Sequence, residues 1–535
     1  NILKELGKSS LIYGIGGAIS KGIPFFLLPV YTRIFSPLEY GQIEMMTVLC
    51  SLIVAFLVMG LDSAQSYYFF EQKNKGIKEQ KKIISSVLQW RFFSGSLIII
   101  LATLISPFLN YWLFDNQLTL VHFIVAFSGA FFITMMGHSI EIFRLTFRPI
   151  PYILVSILNS FLAAIIILGL IIIFEYGIIG YFFGTTIAGF VTACLGWFLV
   201  REFIDFKKIH FKWLPELLKF GLPLLPLGLS LYVLNVMDRW FIQFYHGGEV
   251  LGIYAVAAQI ALIMSILIET FRKAWWPISM DAMHGKNGEE VFKSIARFYM
   301  GVVCAGVLTM TFLISFIIEL MTIPAYYSAS DIAIILIWPP IFYGFYMIVS
   351  AGLWKNKKTT LMLCLFLISS VVNLILNQIL VPLYSGQGAA FATLISFIVL
   401  IILCIYFSEK NWYVGFELTV YLCQIFVTVF AIINHLFFEF VPWLINYILT
   451  IVVLIFITLR KEERKKNCKL FFLIFINMKI KHKEIVLKLL WPFQIIIAFP
   501  KSIGLIFKGE SFYAYSLGLF YLRQLKLLEN KNFYI

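Results

Sequence analysis

Apolar residues in this chain run in long, nearly unbroken windows, without the alternation of a half-buried strand or the one-sided stripe of a water-facing helix. Windows near residues 10–31, 42–66, 87–109, 118–140, 151–174 and 177–200 are followed by a basic connector, Arg201 to Trp213. The series resumes near 216–236, 250–271, 298–319, 331–353, 360–382 and 387–407, and ends with windows near 417–437 and 440–459. Each approaches the roughly 20 apolar residues a helix needs to cross about 30 Å of hydrocarbon. The pattern predicts an all-α polytopic membrane protein with about 14 transmembrane helices.

Short elements recur about 210 residues apart, close to one six-helix unit. Ser36-Pro37-Leu38-Glu39-Tyr40-Gly41 before the second window is echoed by Gly248-Glu249-Val250-Leu251-Gly252-Ile253-Tyr254 before the eighth. Gly177 and Gly180 before the sixth are echoed by Gly386 and Gly388 before the twelfth. Six crossings return the chain to its starting side, so the repeat predicts two pseudo-symmetric six-helix bundles of the same orientation. The expected domains are a first bundle over 1–200, a cytoplasmic connector over 201–215, a second bundle over 216–408, two additional helices over 409–459 and a basic tail over 460–535. The tail opens with the charged run Arg460 to Lys466, and Pro492 and Pro500 interrupt its apolar stretch, which reads as interfacial.

Composition agrees: 61% of residues are hydrophobic and only 13% charged, against roughly 25% charged in soluble domains. The net charge of +14 is confined to alternate loops. Lys4, Lys8, the segments 73–82, 144–148, 201–212, 272–297 and 355–358, and Lys410 fall on one side, and only Arg33 and Arg239 on the other. Positive loops stay cytoplasmic, which predicts both termini inside and makes an anionic leaflet, not nucleic acid, the partner of the basic loops. Seven scattered cysteines without C-x-x-C spacing suggest neither disulfides nor a metal site. No A-x-A cleavage pattern interrupts the first window, so that helix is expected to be retained.

Lys21 lies near the middle of the first window, where an unpaired cation costs about 2.5–3.5 kcal/mol. It shares a helical stripe with Gly14, Gly17, Pro24 and Leu28, leaving room for water, an anionic lipid pyrophosphate or an acidic sugar; a carboxylate on another helix is the structural alternative. Arg33 and Arg239 sit at window ends, where anchoring at the interface is the commoner role. Asp238 and Arg239 diverge by about 100° on a helix and need not pair with each other. Arg91, Arg144, Arg148, Arg272, Lys273 and Arg297 lie at cytoplasmic helix ends, as anchors or as captors of a lipid phosphate. Asp62, Glu141 and Glu269 are the acids available for ion coupling, and Asn159, Gln259, Asn373 and Asn377 add intramembrane polar groups. No G-x-x-x-x-G-K-[ST] loop, H-E-x-x-H pair or long external loop is present, so the expectation is a non-enzyme without metal or cofactor.

The segments Phe26 through Gly41, Gly221-Leu222-Pro223-Leu224-Leu225-Pro226, Asp238-Arg239, Leu251-Gly252-Ile253-Tyr254, and Asn377 through Thr393 occur in an order and spacing that resembles the Wzx-type polysaccharide repeat-unit flippases. These belong to the multidrug/oligosaccharidyl-lipid/polysaccharide exporter superfamily. The resemblance implies a fold like that of the multidrug and toxin extrusion proteins, in the bacterial inner membrane. It implies a flippase that passes an undecaprenyl-pyrophosphate-linked O-antigen or capsule unit through a central cationic cavity by alternating access. Coupling to a Na+ or H+ gradient or to membrane potential, and polymerase or glycosyltransferase partners, are part of the same implication. Lys21, Arg33 and Arg239 carry forward as cavity candidates. The alternatives are a multidrug or small-cation exporter, which would favour acidic cavity residues, a lipid II flippase, and a membrane-embedded polymerase or ligase.

Overall fold

The computed structural model describes residues 20, 22–205, 208, 210–285, 287–438 and 443–459, so Lys21 and the tail from Arg460 lie outside the described residues. Every regular element among those residues is helical. The first bundle comprises α1 (Gly22–Ile34), α2 (Pro37–Val58), α3 (Leu61–Glu71), α4 (Ile77–Phe114), α5 (Leu120–Leu145), α6 (Pro149–Leu168) and α7 (Gly177–Val200). A short α8 (Leu214–Gly221) leads to α9 (Leu225–Val236), α10 (Asp238–His284), α11 (Gly288–Met321), α12 (Ala329–Leu336), α13 (Trp338–Val349), α14 (Ala351–Lys355) and α15 (Thr359–Asn411), followed by α16 (Leu418–Ile433) and α17 (Trp443–Thr458).

Ten stretches among the described residues are long and apolar enough to cross a membrane, and Gly22–Ile34 and Ile445–Thr458 are shorter apolar helices. Two of the ten contain a helix that turns back at a single non-helical residue. A straight helix over the 47 residues of α10 would run about 70 Å, more than twice the hydrocarbon thickness. Gly247 reverses it with φ 78° and ψ −175°, a conformation open to glycine and costly for other residues. The reversal is visible in the bonding, because Tyr254 donates to the Asp238 carboxylate sixteen residues earlier. Ser385, at φ 55° and ψ −135°, turns the 53-residue α15 in the same way.

Helices outrun their apolar windows at the charged ends. The window near 87–109 becomes the 38-residue α4, with Lys78, Lys81 and Lys82 in its first turns. About 57 Å at 1.5 Å per residue, it projects beyond the hydrocarbon. A helix continues wherever its backbone bonds to itself, whereas an apolar window stops at the first charges. The membrane also explains the surface: Phe92, Leu97, Ile100, Leu104 and Phe108 of α4 are exposed, an apolar stripe that lipid would cover.

Within the first bundle α5 packs along α7 and α4, and α6 along α7; in the second, α15 packs against α9, α10 and α13. The two bundles meet chiefly where α2 lies against α10. Among the described residues, those up to Thr428 form one compact unit and those from Val429 a second. In the second unit Asn446 of α17 donates to the Ala431 carbonyl at 3.0 Å.

Candidate functional site

The repeat elements seen in the sequence pack on each other. At the start of α2 a capping box forms, in which the Ser36 hydroxyl accepts from the Glu39 amide at 3.3 Å and the Glu39 carboxylate accepts from the Ser36 amide at 2.9 Å. Pro37 at the first helical position supports the same entry. The cap presents Gly41 to Gly248 and Gly252 of α10. A methyl group on Gly41 would collide with the Gly248 carbonyl, and one on Gly252 with the Pro37 carbonyl.

One turn further along α2, Glu44 reaches across this seam. Arg239 donates from Nε to Glu44 at 2.6 Å, and from Nη1 to Asp238 and to the Asn235 carbonyl, both at 2.9 Å. Tyr254 closes the cluster by donating to the other Asp238 oxygen. The break between α9 and α10 makes this possible, because Asp238 begins a new helix and accepts from the Arg239 amide at 2.9 Å. Asp238 and Arg239 therefore do pair with each other, and each also meets another partner. Side-chain exposure is 4% for Asp238, 15% for Arg239 and 25% for Glu44. With all three ionised the cluster carries one net negative charge, so Arg239 does not stand here as a free cation.

Further bonds join the bundles on the same half of the fold. Thr32 donates to Met321 at 3.1 Å, Tyr326 to Phe35 at 2.9 Å, Gln243 to Leu113 at 2.6 Å and Tyr232 to Val48 at 3.2 Å. Arg33 is exposed and spends its guanidinium on the Pro29 carbonyl at 2.7 Å and the Leu320 carbonyl at 3.4 Å. It fastens the end of α1 to that of α11 and is not among the groups bonded in the Glu44 cluster. Four tyrosines surround the seam: Tyr31 meets Tyr181 at 5.7 Å between ring centroids, and Tyr40 meets Tyr326 at 6.2 Å.

At the opposite, basic end, the residues expected to capture head groups bind the residues expected to couple ions. Arg91 pairs with Asp62 at 2.8 Å, Arg144 with Glu141 at 2.7 Å and Arg272 with Glu269 at 2.6 Å. Arg148 pairs with Glu202 at 2.5 Å, and Arg297 and Lys293 converge on Glu417. Lys273 is exposed on α10. Only Arg91, 1% exposed, is committed to its partner by burial. Arg91→Leu removes a charged hydrogen bond from a buried guanidinium but leaves an Asp62 that is 34% exposed, and should cost about 1.5–3 kcal/mol, whereas Arg144→Ala, at a 61% exposed side chain whose partner Glu141 keeps its bond from Ser66, should cost under about 1 kcal/mol. Thermal unfolding of the purified variants separates the two.

The second bundle contains a polar stripe with unused hydrogen-bonding capacity. Asn377 donates to the Asn373 carbonyl at 2.9 Å, yet Asn373 Nδ2, Asn377 Oδ1, Thr393 Oγ1 and Ser369 Oγ have no partner among the described residues. All four side chains are buried. Ser370 bonds the Ser230 carbonyl at 3.0 Å and His246 the Val381 carbonyl at 2.8 Å, so α15 runs parallel to α9 and the first part of α10. This register puts Asp238 level with Asn373 and Asn377. Asn159, by contrast, accepts from Thr192 at 3.0 Å as an ordinary interhelical bond.

A family model described as polysaccharide biosynthesis protein matches residues 6–283, more than half of the 535-residue chain. The chain is 24% identical over 285 residues to a protein of the Lsg locus of Haemophilus influenzae, covering 52% of this chain and 67% of that protein. It is 23% identical over 298 residues to an uncharacterized membrane protein of the same organism, covering 55% and 69%. Among solved structures it resembles the lipid II flippase MurJ in an inward closed conformation, with a TM-score of 0.67 and 18% identity over 86% of this chain and 100% of that one. It also resembles a mutant of the Vibrio cholerae MATE transporter VcmN, with a TM-score of 0.55 and 15% identity over 77% and 98% of the two chains. These likenesses establish a fold shared with the MurJ and MATE proteins, as the sequence resemblance implied.

Proposed function

The chain belongs to the polysaccharide biosynthesis protein family, and on that premise we propose that it is a flippase for lipid-linked oligosaccharide repeat units of O-antigen or capsule type. Its two bundles would rock against each other, opening and closing the α2–α10 seam, to give alternating access across the bacterial inner membrane. We read fourteen crossings with both termini cytoplasmic, because that arrangement puts every heavily basic loop inside. The seam then lies on the external half.

The observation that carries this reading is the concentration of bonds between the bundles on one half of the fold, around Glu44, Asp238 and Arg239. A transporter closed externally needs such a seam, made of contacts that can be exchanged. Ion pairs and glycine-to-backbone contacts separate without exposing a large apolar core. The basic end supplies guanidinium groups whose exposed pairs, such as Arg144–Glu141 and Arg272–Glu269, are individually weak enough for a pyrophosphate to displace. Lys21, Arg33 and Arg239 remain the proposed cationic path, with Arg239 released only when the seam opens.

For coupling, the hard oxygens of Asn377, Thr393 and Asp238 suit a monovalent cation such as Na+. Asn377→Leu removes one of them and should abolish any stimulation of transport by Na+ while leaving the protein folded; flux measured with Na+ replaced by choline checks this.

Deleting the gene in its host and locating lipid-linked glycan with an impermeant sugar-modifying probe tests the function. Complete units held on the cytoplasmic leaflet, with less surface polymer, support it; normal arrival at the outer leaflet contradicts it. A second reading, export of a small organic cation, is favoured by the two carboxylates facing one guanidinium at the seam. It predicts unaltered glycan and raised sensitivity to cationic dyes.

A further inference from the structure

Away from the seam, the first bundle holds another ionisable cluster whose bonding is incomplete. His138 of α5 is fully buried and shares a hydrogen bond of 2.9 Å between its Nε2 and Gln65 Oε1 of α3. One turn before Gln65, Asp62 holds Arg91 of α4 at 2.8 Å. One turn beyond His138, Glu141 accepts from Ser66 of α3 at 2.7 Å and pairs with Arg144. Three atoms on the buried side chains have no partner: His138 Nδ1, Gln65 Nε2 and Arg91 Nε. Buried polar atoms are nearly always bonded, so three in one contiguous network mark a place where something polar is received. With Nε2 donating to the amide oxygen, His138 Nδ1 keeps its lone pair, while the unspent groups of Arg91 and Gln65 can hold a water beside it.

We propose that His138 Nδ1 is a proton-binding site whose occupancy controls the hinge between α2 and α3. Met59 and Gly60, with φ of 45° and 70°, separate these two helices. α3 carries both Asp62 and Gln65 and packs on α8, the helix that leads from the connector into the second bundle. A proton taken from water converts the imidazole into an imidazolium; no other bond changes. The new cation competes with Arg91 for Asp62 and can no longer accept a hydrogen bond at Nδ1, so the grip of α3 on α4 and α5 is redistributed. Arg91 of α4 acts on the imidazole electrostatically, while Asp62 of α3 lies one turn from Gln65 and Glu141 of α5, with its partner Arg144, one turn from His138. α6 adds Tyr152 beside Glu141 and Arg144, and α7 presents Gly196 against Ser139. Four of these five are the two acids and their two guanidinium partners that the sequence offered separately for coupling and head-group capture.

The transport readout rests on the flippase reading, and the titration does not. The purified full-length protein carrying 15N-labelled histidine is titrated in detergent, and His138→Gln identifies its signal among the seven histidines. In proteoliposomes at fixed Na+, flipping of a fluorescent undecaprenyl-pyrophosphate sugar is measured over the same pH range. As the pH is lowered His138 should change from neutral to charged, with wild-type flipping changing about tenfold and His138→Gln flipping at a rate independent of pH. Gln65→Glu keeps the bond to His138, adds a negative charge, and should move the titration up by about one pH unit; it identifies the signal if His138→Gln does not fold. A His138 signal that stays in one charge state throughout, or a His138→Gln protein with the wild-type pH profile, overturns the proposal. If no variant flips lipid, the flippase reading fails and the titration alone decides the proton site.

Discussion

Arg239→Ala is expected to reduce glycan export by two to three orders of magnitude without loss of the protein from the membrane. Glu44 and Asp238 would then confront each other across the seam with no guanidinium between them. Removing one member of a buried ion pair costs about 3–5 kcal/mol, and every 1.4 kcal/mol is a factor of ten in an equilibrium. The cost falls on the externally closed state, because Glu44 comes from α2 and Asp238 from α10, so the transporter would be held open. Arg239→Lys should recover part of the loss, since lysine restores the charge but not the fork that reaches both carboxylates. Glu44→Arg combined with Arg239→Glu should recover more than either change alone, and a double-mutant cycle on export rates gives the coupling directly.

Gly252→Val should have the second-largest effect, by a route that involves no charge. A side chain there strikes the Pro37 carbonyl, a backbone atom that cannot rotate away. Overpacking of this kind costs about 1–3 kcal/mol, enough to shift the closed-to-open ratio roughly 5- to 150-fold. Tyr40→Cys, placed beside the seam, should then react with an impermeant maleimide from outside at least about tenfold faster in the Gly252→Val background. Equal labelling in the two backgrounds would mean that the glycine contact does not govern opening.

Much of this architecture is legible in the residues themselves, because the hydrocarbon admits so few solutions. The apolar windows locate the helices, and the repeat of Ser36–Gly41 in Gly248–Tyr254 points to two elements that prove to touch. The ends are less legible: the helical state of Lys78, Lys81 and Lys82 depends on α4 continuing past the hydrocarbon, which hydropathy does not record. Glu44 carries a signal of its own, an acid at the start of an apolar window. Its pairing with Arg239 joins positions 195 residues apart and exists only once α2 and α10 are packed. His138 and Gln65 look like ordinary core residues until their bonding is counted. The acids Asp62, Glu141 and Glu269 show the reverse case, since each looks available in sequence and is matched to an arginine in the fold.

The measurement that bears most directly on the central claim is flipping by the purified protein in vesicles containing a nitrobenzoxadiazole-labelled undecaprenyl-pyrophosphate sugar, with dithionite added outside to bleach the outer leaflet. The account predicts that the wild-type protein exposes label from both leaflets, so that bleaching goes nearly to completion, while Arg239→Ala vesicles stop near half, as protein-free vesicles do. Wild-type vesicles that also stop near half, with the protein folded and inserted, would contradict it.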